Sequence, residues 1–202
     1  KLEAMVKALK PGDKVIAGGM PGGAVVGNAE IMSLFDITGD THHDRYQRVV
    51  HFGTFNASPL TAAAGIALLR RVATGEPIQQ ANAMTQQLQT AWNQVLDRHG
   101  IAGYVYGPCS TFHVYFETDT DRVHNSSTRG DLRTSDAARL KGMPGEFVHE
   151  YQRQLRHRGV DIMSSTGGVV SAAHTELDIE QATAAFEQTV AALLDQGLVL
   201  TM

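Results

Sequence analysis

The chain has 202 residues, 43% of them hydrophobic and 19% charged, which suits one core or two small ones and excludes a disordered tail or linker. Its net charge of -4 gives no footprint for nucleic acid or an anionic membrane, and no basic stripe is interleaved with aromatics, so the expected partner is a small molecule. A single cysteine, Cys109, permits no internal disulfide, and the sequence offers no signal-like segment and no apolar span of membrane length, so a cytoplasmic setting is expected.

In chain order, Leu2, Met5, Val6 and Leu9 recur at helical spacing and predict a helix within residues 1–13. Val15 and Ile16, then residues 24–26, read as short apolar strands around a Gly-Pro turn. Asn28 is the expected cap of a short helix reaching Phe35, and the polar residues 39–47 read as a loop. Pro59 suits the first turn of a helix running to Ala73, where Ala62, Ala63, Ala64 and Gly65 permit close packing. After Pro77, Ala81, Met84, Leu88, Trp92 and Val95 share one face of a second helix that ends near Gly100, and a domain boundary is expected along it.

Beyond Gly100 the pattern becomes that of strands, at residues 104–106 and 112–116. Residues 119–142 are polar and poor in large apolar side chains, which predicts a mobile or solvent-facing connection. Phe147, Tyr151 and Leu155 mark a helix stopped by Gly159, followed by expected strands at 160–163 and 169–172. Thr175-Glu-Leu-Asp178 is a capping box for a last helix through Phe186, Val190 and Leu194.

Few side chains are arranged for chemistry. His42, His43 and Asp44, with His51 further on, lack the one-face spacing that makes metal ligands converge, so no metal site is expected. His174, just before a helix, suits a hydrogen-bonding structural role, and Cys109 reads as a packed residue beside a strand. Lys14 is different, because the run that follows it contains Gly18, Gly19, Gly22 and Gly23. Glycines let backbone approach a ligand closely, and a lysine shielded from water keeps more of its free amine, which can form a Schiff base with an aldehyde. A surface lysine before an ordinary glycine turn is the alternative, and this segment alone favours it. The glycines do not form G-x-G-x-x-G, and a phosphate-loop lysine would follow its glycines instead of preceding them.

Three motifs in order carry a resemblance. Residues 14–27, KVIAGGMPGGAVVG, resemble the cofactor-lysine segment of class III aminotransferases, pyridoxal-phosphate enzymes of fold type I. Residues 51–65, HFGTFNASPLTAAAG, resemble that family's Gly-Thr-x-x-x-Asn-Pro-Leu motif, although Ser58 stands where the family has Asn and receives no role. Residues 170–179, VSAAHTELDI, are similar to a C-terminal motif of glutamate-1-semialdehyde 2,1-aminomutases and their transaminase relatives.

The resemblance implies an α/β fold: residues 14–90 form part of a fold type I large domain, residues 91–202 a smaller α+β C-terminal domain, and residues 1–13 remain unmatched. It implies pyridoxal 5'-phosphate held by Lys14 as a Schiff base, with Lys14 also the catalytic acid and base. Gly53 and Thr54 are implied to bind the cofactor phosphate, usually across a homodimer with a shared active site; a plain helix-entry role is the alternative for Thr54. Most of the usual large domain lies outside this sequence. The implied activity is amino-group transfer on a small amine, by an aminomutase or an aminotransferase. An ω- or β-amino-acid aminotransferase is the alternative, as is a non-catalytic fragment acting by subunit association.

Overall fold

A computed structural model describes residues 14–17, 20–23, 27–51, 53, 56, 58–163 and 165–202. The expected N-terminal helix and the strand at 24–26 lie outside them. The chain divides into two compact units, Lys1–Glu76 and Pro77–Met202.

In the first unit, β1 (Lys14–Ala17) pairs antiparallel with β2 (Met20–Gly23), Lys14 opposite Gly23 and Ala17 opposite Met20. The sequence thus leaves Gly18 and Gly19 between the paired ends, the two-residue spacing of a tight hairpin. Helix α1 (Ala29–Met32) is capped by Asn28, whose Oδ1 accepts from the Glu30 N–H at 2.9 Å, and a 3-10 turn extends it over Ser33–Phe35.

Residues 39–47 are not a loop. Helix α2 (Thr41–Tyr46) occupies them because Asp40 accepts from the His43 N–H at 2.8 Å and so serves one of the helix's free donors. Helix α3 (Pro59–Val72) has Pro59 in its first turn as expected and Gly65 as its buried position, and Ser58, to which the sequence assigned no role, caps it. It lies against both strands of the hairpin.

The second unit holds a three-stranded antiparallel sheet in the order β3 (Gly103–Tyr106), β4 (Thr111–Phe116), β5 (Gly167–Val169). Helices α4 (Glu76–Arg98), α7 (Gly145–His157) and α8 (Glu176–Asp195) supply its main core. Strand alternation sends Val105, Phe112, Val114 and Phe116 into that core. Trp92 is its centre, stacked on Phe186 with ring centroids 4.0 Å apart and set edge-on to Phe112 at 5.2 Å. The expected stripe of Ala81, Met84, Leu88, Trp92 and Val95 is buried throughout. Gly159, at φ +82°, follows α7 where the sequence put a stop.

Two expectations fail in this unit. Residues 119–142 are not an unstructured connection: they form α5 (Thr120–His124), a 3-10 turn (Arg129–Leu132) and α6 (Ala137–Lys141). Their few apolar groups suffice, because Leu132 and Val123 pack with Ala102 in a small second cluster. Residues 160–163 form no strand, and the strand expected at 169–172 spans Gly167–Val169 instead. Gly167 and Gly168 allow that early pairing: a β-carbon on Gly167 would collide with the Phe112 carbonyl oxygen and the His113 ring, and one on Gly168 would press on the Phe112 ring. Cys109 does not pack beside a strand; it is exposed in the β3–β4 turn at φ +53°.

Candidate active site

The expected site residues fall on two elements of the first unit. Lys14 is the first residue of β1, cross-strand from Gly23, at the end of the hairpin away from Gly18 and Gly19. Gly53 lies in the connection that enters α3, while Thr54 is outside the described residues. The Gly53 carbonyl accepts from the Asn56 N–H at 3.0 Å, which closes a turn with Thr54 between its ends in sequence. Asn56 Nδ2 also donates to the His51 carbonyl at 3.2 Å. Ser58 Oγ then accepts from the Thr61 N–H at 3.4 Å at the helix start.

These features fit a phosphorylated aldehyde. A β-carbon on Gly53 would be 2.5 Å from Asn56 Oδ1, so a side chain there would require the Asn56 carboxamide to turn away. A turn with bare backbone can approach phosphate oxygens closely. On the other element, the glycine-rich hairpin carries one amine, Lys14, at the head of a strand. The two elements thus carry an amine and bare backbone, the groups that an aldehyde and a phosphate would call for.

The other polar clusters are structural. Asp44 accepts from the Thr38 N–H at 2.8 Å, from Thr38 Oγ1 at 2.9 Å and from the Gly39 N–H at 2.9 Å. Those bonds, the Thr38 N–H foremost, lower its pKa to about 2 and make it a turn clamp that His43 joins at 3.3 Å. Among the described residues no group of three or more His, Cys, Asp or Glu side chains could hold a metal ion. The Ser171 N–H donates to His174 Nδ1 at 3.0 Å, so the histidine closes the turn before α8.

In the second unit a cleft of about 140 Å³ opens between α4, β5 and the start of α8, lined by Leu88, Trp92, Phe112, Ile162 and Ile179 with His174 at its edge. It gathers none of the expected site residues. The buried charge in this unit is a group that sequence reasoning missed. Glu117, with no side-chain exposure, accepts from Arg122 at 2.5 Å, from Tyr115 Oη at 2.9 Å and from the backbone N–H groups of Thr118 and Asp119. Burial, reinforced by the hydrogen bond to Glu117, pushes the Tyr115 hydroxyl up to about 12. The arginine-rich composition of 119–142 was the available signal, since a buried carboxylate needs such partners.

Comparison with known proteins agrees with the motif order. The chain is 30% identical to the glutamate-1-semialdehyde 2,1-aminomutase of Methanopyrus kandleri over 88% of its own length and 37% of that protein's. Its backbone matches an ω-transaminase from Sphaerobacter thermophilus with a TM-score of 0.65 and 30% identity, covering 87% of this chain and 36% of the other. A transaminase with pyridoxal phosphate bound matches with the same TM-score and 25% identity, over 89% and 37% of the two chains. The chain therefore spans well under half the length of these relatives, and its mixed α/β fold is that of fold type I aminotransferases. Residues 10–194 match the aminotransferase class-III family across nearly the whole chain, and the chain belongs to it.

Proposed function

We propose that the protein carrying this chain is a pyridoxal 5'-phosphate-dependent enzyme that transfers an amino group, within one molecule or between two, on a small amine substrate. The observation that carries this reading is the family match over residues 10–194, within which Lys14 heads a strand of a glycine-rich hairpin. When bound, the cofactor supplies the electron sink that stabilises a carbanion at the substrate carbon. Lys14 would hold the cofactor covalently through Nζ, and its amine, once free, would serve as base and acid at the substrate carbon. Gly53 and Thr54 would hold the phosphate through backbone N–H groups and the threonine hydroxyl.

In this reading residues 14–90 contribute part of the large domain and residues 91–202 form the small one. Two copies of the protein share each site in a cytoplasmic homodimer, one giving Lys14 and the other Gly53 and Thr54. The aminomutase relative favours transfer within one molecule; the ω-transaminase neighbour supports transfer between two molecules as the second reading. Borohydride reduction of the cofactor-loaded protein followed by peptide mass mapping tests the assignment. The label is expected on Lys14, and a label on any other lysine overturns it.

A further inference from the structure

Asn56 is exposed, yet its side chain and its backbone both make contacts in the turn before α3. Its Nδ2 donates to the His51 carbonyl at 3.2 Å, while its backbone N–H donates to the Gly53 carbonyl at 3.0 Å. The carboxamide also lies across Gly53: a β-carbon at that position would come within 2.5 Å of Oδ1 and 2.9 Å of Cγ. One side chain therefore ties the entry of the turn to its exit and fills the space over the glycine. It does not start the helix, because Ser58 caps α3. It adds nothing to a hydrophobic core. Its work is confined to the shape of the segment containing Gly53 and Thr54.

That confinement has a consequence for anion binding. A glycine-containing turn has many conformations open to it, and an anion that must select one of them loses affinity to the ordering. A clip that fixes the turn beforehand removes part of that cost. We propose that Asn56 is a positioning residue for the phosphate turn, acting through the backbone at Gly53 without touching the cofactor. The proposal rests on the assignment of those two residues to the cofactor phosphate.

The test is equilibrium titration of the apoprotein carrying this chain with pyridoxal phosphate and with pyridoxal, which share the aldehyde and differ in the phosphate. Asn56→Ala is expected to weaken pyridoxal phosphate about tenfold, the scale of losing one ordering contribution, and to leave pyridoxal binding and the apoprotein's thermal midpoint unchanged. Gly53→Ala is expected to weaken pyridoxal phosphate as well, and to cost less in the Asn56→Ala background, where the colliding carboxamide is gone. If Thr54→Ala weakens pyridoxal phosphate while Asn56→Ala matches the parent, the positioning role falls and the phosphate assignment stands. If neither variant changes pyridoxal phosphate binding, both fall. Equal weakening of the two ligands by Asn56→Ala, or a clear drop in its thermal midpoint, would make Asn56 a general structural residue and overturn the proposal.

Discussion

Glu117 shows how one side chain can organise a stretch of polar sequence. Every polar neighbour it has is a donor: Arg122, Tyr115 and two backbone N–H groups, with Arg139 at 3.7 Å. Removing a fully buried carboxylate leaves those donors without a partner, and breaking a buried ion pair from one side typically costs about 3 kcal/mol. Glu117→Ala is expected to lower stability by that amount in urea unfolding, and Glu117→Gln, which keeps an acceptor, by less. A Glu117→Ala variant as stable as the parent would mean that the network contributes nothing net. Cys109 gives the opposite case. Its φ of +53° is a conformation glycine adopts without steric cost, and its side chain is exposed. Cys109→Gly is therefore expected to raise stability by up to about 1 kcal/mol in the same assay. A loss of stability would point to a contact of the thiol instead.

At the scale of elements, the long helices were legible because each buries a stripe at the 3.6-residue period: Leu88, Trp92 and Val95 in α4, Phe147, Tyr151 and Leu155 in α7. The capping box of α8 was legible too, with the Thr175 N–H and hydroxyl each donating to Asp178 at 2.7 Å. Helix α2 and the 119–142 segment escaped because their helices are short and held by polar bonds; periodicity does not register those, and within 119–142 Val123 and Leu132 do the burying that a longer stripe would do elsewhere. The lysine and glycine motifs of the proposed site were read only through resemblance. The clip at Asn56 was not legible, since its meaning lies in what the side chain covers.

The same polar bonds set a pH dependence. Arg153 holds Glu150 at about 2, the Thr38 N–H does so for Asp44, and backbone donors lower Asp119, Asp131 and Asp178. Each of these carboxyls binds its proton less readily folded than unfolded, so the unfolded chain takes up more protons in acid. The stability they contribute is present above their ordinary values of 3.8 to 4.5 and is lost as pH falls toward 2. Thermal midpoints are expected to hold down to about pH 4.5 and decline below it. Asp178→Asn should weaken the decline, and a midpoint independent of pH between 4.5 and 2.5 would contradict the assignment.

At the scale of the whole molecule, burial among the described residues is unequal between the two units. Helix α4 buries seven side chains, α7 five and α8 six, among them Trp92, Tyr151 and Phe186, which have no exposed surface. In the first unit α1 and α2 have no buried residue and α3 has Gly65, while Leu60 is 67% and Ile66 51% exposed. Local opening is governed by how much apolar contact must be given up, so helices with so little buried in this chain should open far more often than those around Trp92. Native-state amide exchange on the 202-residue chain is expected to run at least about tenfold faster in α1, α2 and α3 than in the central turns of α4 and α8. Because Trp92 is the chain's single tryptophan, its fluorescence should report the second unit and stay constant while the first exchanges. Protection of α3 equal to that of α4 would mean that the hairpin and its helix draw stability from contacts beyond the burial described, and that the lysine-bearing element is as firmly held as the core around Trp92.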